Sequence, residues 1–347
     1  LAAVIGGIFA LRYWVWGRRE HEAFLAALAV AAPLLFLATR PASTLSIAYC
    51  DMLSWPHFAA FAAGAVLAFA SRLLPGQARP LGRMLALAPI GLAAGAAIII
   101  PLGACAVDPF AGLDPVLKHV WLDNVAEGLP ITSQAPSVAA MLLWTIGLII
   151  AGGWLALRQT ATDRQRENWA MLALLALAAG AMSLLVLRAE LAAQLLAVPF
   201  AAVLLMRLLP RARKIKTMVP RIVATLACLG IATPVLASIA LKPLDHVRAS
   251  GAAAAQASDA AGPCELERLN ALPRAMLFAP LDLGPEILAR TPHSVVMGPY
   301  HRNQAKMREV FDAFAGSLAG AHEILRENHA AYLVACTDKG RLSVYAA

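Results

Sequence analysis

The feature that most constrains this chain is a series of eight apolar stretches, each about long enough to cross a membrane. They lie at 1–17, 23–39, 57–74, 84–104, 136–157, 169–187, 191–209 and 222–241. A bilayer needs ~20 apolar residues per helix to cross its ~30 Å hydrocarbon layer, and a soluble core cannot bury so many consecutive apolar helices. We therefore predict an α-helical polytopic membrane protein with about eight transmembrane helices over residues 1–241.

The composition agrees with a membrane protein, because 60% of the 347 residues are hydrophobic and only 14% are charged. The net charge of +8 does not indicate nucleic-acid binding. The basic residues lie in short connections, where they set orientation in the bilayer and meet anionic headgroups. We expect membrane lipid as a partner, and no nucleic acid.

The beginning of the sequence is also informative. Leu1 opens directly in an apolar run, with no charged region before it and no cleavage site after it. From this we expect that further N-terminal helices and loops precede Leu1. The middle of nearly every predicted span lacks Asp, Glu, Lys, Arg and His, which argues against a proton-coupled pump.

Basic residues are distributed unevenly between alternate connections. One set of connections holds only Arg40, Lys118 and Arg188. The other set holds Arg18, Arg19, Arg72, Arg79, Arg83, Arg158, Arg164, Arg166, Arg207, Arg211, Arg213, Lys214, Lys216 and Arg221. Because Lys and Arg accumulate in cytoplasmic loops, the second set is predicted to face the cytoplasm. The connections 40–56, 105–135 and 188–190 and the C-terminal domain then face the outer side.

The five cysteines separate by predicted location. Cys228 lies in a span, as a small apolar residue. Cys50 and Cys105 lie in neighbouring outer loops, and Cys264 and Cys336 lie in the outer domain, where the compartment permits disulfides. We predict the pairs Cys264–Cys336 and Cys50–Cys105. A metal site is the competing use, but no CxxC or paired His spacing supports it.

The outer loop 105–135 contains a predicted helix. Asp114-Pro115 supplies an N-cap and Pro at the first helical position, which predicts a helix over about 115–127. Its apolar residues share one face and predict a helix lying flat on the membrane: Leu113, Val116, Leu117, Val120 and Trp121. Asp123, Asn124 and Glu127 lie on or beside that face. They are either hydrated at the interface or form a rim that faces a headgroup or sugar.

The C-terminal region changes from apolar to mixed patterning. Residues 242–262 are predicted as a linker, because 249–262 are rich in Ala, Ser and Gly. Residues 263–347 are predicted as a small periplasmic α/β domain. Its predicted strands are 275–280, 294–299 and 330–336, and its predicted helices are 284–290, 304–315 and 318–328.

Polar side chains follow the first two predicted strands of this domain. Asp282 follows the first strand, and Tyr300, His301, Arg302 and Asn303 follow the second. Ligands of open parallel sheets collect at the carboxyl ends of the strands, and these groups suit phosphate or sugar contact. The alternative is that Asn303 caps the next helix, and that His301 and Arg302 are solvated or dock the domain on the membrane part.

Several strings of the chain together resemble a known group. They are LRYWVWG (11–17), CDMLSWP (50–56), DPFAGLDPVLKHVWLDNVAEG (108–128), LDLGPEILARTPHSVVMGPYHRN (281–303) and YLVAC (332–336). The succession resembles a group of alphaproteobacterial membrane proteins that look like members of the C-type (GT-C) glycosyltransferase superfamily. The shared strings are markers of that group and not a catalytic signature.

The resemblance implies a transferase that takes a sugar from a polyprenyl-phosphate carrier on the periplasmic face of the inner membrane. It also implies that the catalytic carboxylate lies in the first outer loop, upstream of this sequence, so that no residue here is assigned as the base. No metal ligand is assigned either, and a divalent cation is the candidate cofactor of the full-length protein. The basic residues near the outer boundary are phosphate-contact candidates or interfacial anchors: Arg40, Lys118, His119, Arg188, Lys242 and His246.

Two other functions remain as alternatives. One is a transporter or flippase whose outer domain gates or recruits its substrate. The other is a non-catalytic scaffold in the assembly of envelope polysaccharide. The transferase predicts an acidic pair in an upstream outer loop, and the transporter predicts ionisable residues or broken helices within upstream spans.

Overall fold

The chain is a mostly helical multi-pass membrane protein. The computed structural model describes residues 2–106, 108, 110–245, 264–336 and 345. Within these residues, six helices are long and apolar enough to cross a membrane. They are α2 (Glu20–Thr39), α3 (Trp55–Ala70), α4 (Pro80–Leu102), α6 (Pro136–Gln159), α7 (Asp163–Leu185) and α8 (Glu190–Arg213), with α3, α4 and α8 extended by 3₁₀ turns.

Four further helices are described before the C-terminal domain. α1 (Ala2–Trp16) is apolar but has only 15 residues, and α5 (Pro115–Val120) lies in the loop after α4. α9 (Met218–Ile231) continues into α10 (Val235–Leu241) and the turn after it through a bend of 95°. The predicted class of membrane protein is confirmed. Each predicted span falls on a helix, but the first is short and the last is broken.

The chain divides into two compact units, and the first comprises Leu1–Gly112 with Gln159–Ala178. In this unit α3 packs against both α2 and α4, through a face of small residues that includes Ala60 and Ala68. Because α2, α3 and α4 alternate in direction, the start of α2, the end of α3 and the start of α4 lie together at one end. The disulfide Cys50–Cys105 links the loops at the other end, about 30 Å away for a helix of this length.

The second unit comprises Leu113–Arg158 with Ala179–Ala347. In it, the carboxylate of Asp245, after α10, accepts hydrogen bonds from the backbone N–H (2.9 Å) and hydroxyl (2.7 Å) of Ser137, at the start of α6. The broken helix therefore ends on the side of the membrane where α6 begins. Since α6, α7 and α8 make three crossings between these points, the bent pair must make a fourth. We conclude that α9 and α10 form one broken span and not a re-entrant loop.

The C-terminal region is a small α/β fold around a parallel sheet. Its strands are β1 (Met276–Phe278), β2 (Ser294–Val295) and β3 (Tyr332–Leu333), in the order β2-β1-β3 with both pairs parallel. The helices are α11 (Gly284–Arg290), α12 (Gln304–Ala315) and α13 (Leu318–Glu327). The prediction of a small α/β region is confirmed, with shorter strands than expected.

Two apolar clusters fill the faces of this sheet. One contains Leu277, Leu283 and Ile287, and it includes the disulfide Cys264–Cys336. The other contains Phe278, Met307 and Val310 from β1 and α12.

Both predicted disulfides are confirmed, and Cys228 is a free thiol in α9. Of the predicted linker, Lys242–Leu244 is a 3₁₀ turn, while 246–262, including His246, lies outside the described residues.

Candidate functional site

The carboxyl ends of β1 and β2 meet at one edge of the sheet. The segment after β1 passes so close to the segment after β2 that a Cβ on Gly284 would lie 2.8 Å from the carbonyl oxygen of Met297. Only glycine allows this approach without a shift of the backbone. The polar residues that follow the two strands are therefore held at the same edge, as the sequence predicted for a parallel sheet.

Three of the predicted site residues form a cluster at this edge. Tyr300 is half-exposed, and the guanidinium of Arg302 donates to its hydroxyl at 3.1 Å. The Arg302 guanidinium also lies 5.7 Å from the centre of the Tyr300 ring, and the His301 ring lies 6.0 Å from it. The three side chains thus join an aromatic face to one cation and one imidazole.

The outer loop adds a second aromatic ring to this cluster. Trp121 directly follows α5, and its ring is stacked on His301 with a centroid distance of 6.2 Å and an interplanar angle of 20°. The sequence pattern predicts only that Trp121 belongs to an apolar face, without a contact to His301. Nothing in the spacing of the two residues, 180 positions apart, signals the contact. We call Trp121, Tyr300, His301 and Arg302 the outer platform.

The apolar face of the outer loop packs on the C-terminal domain. Leu117 is fully buried in the cluster that contains Phe278 and Met307, and Val116, Val120 and Trp121 pack against it. The prediction that this helix lies flat on the membrane is therefore wrong. Its apolar stripe meets a protein core, because either environment satisfies the same pattern of residues. The helix is also shorter than predicted, since α5 ends at Val120 and 3₁₀ turns follow.

Polar contacts fix the direction of the docked helix. As predicted, Asp114 caps α5, accepting from the backbone N–H of Val116 at 2.8 Å. The Arg308 guanidinium also contacts the Asp114 carboxylate at 3.3 Å, and the Gln304 side-chain oxygen accepts from the Asp114 backbone N–H at 2.8 Å. The pKa of Arg308 is raised by its hydrogen bond to Asp312, with Asp114 contributing further. No signal in the sequence marks Gln304 and Arg308, which face Asp114 only because the domain folds back on the loop.

Asp282 lies at the same edge but is involved with a different residue. Its side chain is exposed, and its charge acts on the buried phenol of Tyr345. Burial raises the pKa of Tyr345 to about 12; the hydrogen bond from the Leu281 backbone N–H opposes this, and Asp282 adds to it. Asn303 occupies the N-cap position of α12, as the alternative interpretation predicts, but its side chain makes no capping hydrogen bond.

The remaining predicted site residues lie elsewhere on the loop surface. Asp123 is exposed and lies 3.7 Å from the imidazole of His119. The Asn124 amide donates to the backbone carbonyls of His119 (3.3 Å) and Val120 (3.1 Å), which end α5. Glu127 forms an exposed ion pair of 2.7 Å with Arg188. Among the contacts described for these residues, none joins them to the outer platform.

The membrane part of the second unit contains an apolar groove. It encloses about 600 Å³ between α6, α8 and the broken span, and its lining includes Leu143, Trp144, Leu148, Leu204, Ile231 and Leu241. The Trp144 indole N–H donates to the carbonyl of Ile231 at 3.0 Å, where the helix breaks. This bond satisfies a backbone acceptor that the break releases within an apolar setting.

Metal-ligating side chains do not cluster in the part of the chain that the structure describes. No group of three His, Cys, Asp or Glu residues there is arranged to hold a metal ion. The platform can therefore supply stacking, cationic and hydrogen-bonding contacts through its own side chains.

Comparison with known proteins adds no assignment, because the sequence matches no family model and no curated protein.

Proposed function

We propose that this chain belongs to a membrane glycosyltransferase that takes a sugar from a polyprenyl-phosphate carrier on the periplasmic face of a bacterial inner membrane. The observation that carries the proposal is the outer platform, where Trp121 stacks on His301 beside Tyr300 and Arg302. Flat aromatic faces suit sugar rings, and a guanidinium suits the phosphate that leaves with the carrier.

The two disulfides support the outer location of the platform. Disulfides persist in oxidising compartments, and Cys264–Cys336 lies in the same domain as Tyr300. In the first unit, Cys50–Cys105 lies at the opposite end of α2–α4 from Arg72 and Arg83, as expected if arginine marks the cytoplasmic side. Two independent signals thus support the same orientation.

The apolar groove supports a lipid-linked donor. Its lining by α6, α8 and the broken span offers an apolar surface to a prenyl chain. The proposal puts the platform, which belongs to the same unit, outside the membrane. Binding a long chain away from the reacting phosphate would orient the donor for transfer. In this proposal the side chains of the platform and the groove bind and orient the substrate.

The test is a transfer assay in membranes that contain the natural protein and a panel of polyprenyl-phosphate sugars. His301→Ala and Arg302→Ala are each expected to lower kcat/KM about tenfold, as for loss of one charge-assisted contact. His322→Ala, an exposed residue of α13, is the matched control. Intact Cys264–Cys336 pairing on non-reducing gels would verify folding. Full activity of the His301→Ala/Arg302→Ala double variant would overturn the platform's role.

A transporter or flippase is the second candidate, because the broken span is typical of transport proteins. It predicts movement of a lipid-linked sugar across a reconstituted bilayer without transfer to an acceptor. Measuring translocation and transfer on the same proteoliposomes separates the two functions. Transfer without translocation favours the glycosyltransferase.

A further inference from the structure

A group of arginines surrounds the turn between α1 and α2 in the first unit. Gly17 makes this turn with a φ of +71°, a conformation that favours glycine. The side chains around it come from α1, α2, the end of α3, the start of α4 and α7. We call them the arginine corner: Arg12, Tyr13, Arg18, Arg19, Glu20, His21, Glu22, Arg72, Arg83 and Glu167.

The three carboxylates of the corner are all paired with arginine. Glu22 is almost fully buried and accepts from Arg19 at 2.8 Å and from Arg72. Glu20 lies 3.1 Å from Arg12. Glu167 lies 3.8 Å from Arg18 and 4.0 Å from Arg12. The acidic residues are therefore already neutralised by four of the five guanidinium groups.

Arg83 is the guanidinium without a carboxylate in the described structure. The residue is 9% exposed, and its one described hydrogen bond donates from the guanidinium to the backbone carbonyl of Tyr13 at 3.3 Å. The Arg83 Nε is buried and has no hydrogen-bond partner among the described residues. A Cβ on Gly17 would lie 3.0 Å from the guanidinium, so the glycine also leaves room for Arg83.

Three neighbouring side chains also have unmet polar atoms, and one of these atoms is an acceptor, the Oε2 of Glu167, which lies 3.8 Å from Arg18 and 4.0 Å from Arg12 without a hydrogen bond among the described residues. His21 is 3% exposed and stacks on Tyr13 with a centroid distance of 4.6 Å, yet neither ring nitrogen has a described partner. The Arg12 Nε is likewise buried and unpaired in the described part of the chain. Leaving a charge and several donors buried without partners is strongly unfavourable. The pattern indicates that an anion with several acceptor oxygens completes the corner.

We propose that the arginine corner binds a phosphate group, with Arg83 as its main cation and His21 and Arg12 as further donors. A phosphate offers several oxygens to a guanidinium fork, and arginine is the residue best suited to that geometry. Basic pockets between helices on the arginine-rich side of a membrane meet anionic headgroups. The phosphate belongs either to such a lipid or to a soluble phosphate. This inference does not depend on the proposed glycosyltransferase activity.

The experiment measures binding to the intact protein purified in detergent. Phosphatidylglycerol, phosphatidylcholine and inorganic phosphate are each titrated while the thermal unfolding midpoint is followed, and native mass spectrometry counts retained lipid. We expect phosphatidylglycerol to raise the midpoint and phosphatidylcholine to leave it unchanged. A rise with inorganic phosphate as well identifies the phosphate group alone as sufficient. No rise with either phosphate probe would overturn the proposal.

Variants then assign the binding to the corner. Arg83→Gln is expected to weaken phosphatidylglycerol binding about tenfold, the effect of losing one charged hydrogen-bond donor. Arg79→Gln removes an exposed arginine from the same connection and should leave the affinity within about twofold. Equal affinity of the Arg83→Gln variant and the wild type, or equal weakening in the two variants, would overturn the site. If Arg83→Gln does not fold, His21→Phe keeps the ring stacking and removes both nitrogens; unchanged affinity in that variant would also overturn the proposal.

Discussion

Each unit contains a glutamate that is paired with arginine, but the two glutamates differ in burial. In the arginine corner of the first unit, the Glu22 side chain is 4% exposed and is held between Arg19 and Arg72. In the second unit, the Glu127 side chain is 62% exposed and pairs with a still more exposed Arg188. Burial removes water as an alternative partner, so the first pair is expected to matter for folding and the second is not.

The largest expected effect comes from breaking the buried pair. Glu22→Gln leaves Arg19 and Arg72 facing a neutral amide, and it should lower the free energy of unfolding by about 3 kcal/mol, the lower end for buried pairs because Arg72 is partly exposed. Denaturant unfolding in detergent measures this loss. Glu20→Gln, whose side chain is 43% exposed, is the matched control and should cost much less. Equal losses of unfolding free energy in the two variants would show that burial does not determine how much these ion pairs contribute.

The next effect tests what holds the outer platform together. Leu117→Ala removes a fully buried side chain from the core shared by α5 and the C-terminal domain. It is expected to lower the stability of that domain by about 3 kcal/mol, through lost burial and the cavity left behind. The measurement is the rate of proteolysis of the C-terminal domain. His119→Ala, with an exposed side chain, should leave the rate unchanged, and an unchanged rate for Leu117→Ala would show that docking contributes little.

Elements that local sequence signals mark could be predicted, whereas contacts between distant segments could not. The bounds of α11 and α12 were predicted correctly, and α13 within one residue, because local signals mark them, such as Pro285 at the start of α11 and Ser317 at the cap of α13. The strand-edge residues followed from parallel topology alone. The docking of Leu117 did not, because an apolar stripe has the same periodicity whether it meets lipid or protein.

The arginine corner was not predicted for a related reason. Its contacts join residues far apart in sequence, such as Glu22 with Arg72 and Arg12 with Glu167. The same arginines do predict the orientation in the membrane, because a count of Lys and Arg in the connections does not require knowing which residues form ion pairs. Only the packing of the helices brings the buried Arg83 to the carbonyl of Tyr13, where its contacts with the described residues include no carboxylate.

The pH dependence of stability tests whether the Tyr345 phenol is buried in the C-terminal domain. Burial raises the pKa of Tyr345 to about 12, above the value of ~10 for an exposed tyrosine. As the pH rises, the unfolded chain therefore loses the Tyr345 proton before the folded chain does. The stability that this difference contributes is complete below pH ~10 and is lost as the pH rises to about 12. The expected loss is about 2 to 3 kcal/mol.

Tyr345→Phe isolates this contribution. The variant loses the acceptor for the Leu281 backbone N–H, which should cost about 1 kcal/mol at neutral pH. Its stability should then decline less than that of the wild type between pH ~10 and ~12, because phenylalanine has no proton to lose. Chemical denaturation at a series of pH values measures both slopes. Parallel slopes would show that the Tyr345 hydroxyl is not buried in the folded protein.

The smallest expected effect returns to the exposed pair. Glu127→Gln should change the free energy of unfolding by less than about 0.5 kcal/mol, because both partners are well hydrated and gain little from each other. Thermal unfolding at low and high salt measures it, with Arg188→Gln as the reciprocal variant. A loss above about 1 kcal/mol, abolished by salt, would mean that the pair orders the loop near Leu129, whose carbonyl accepts from the Leu187 backbone N–H. Exposure alone would then no longer separate structural charges in this protein from those available to a ligand.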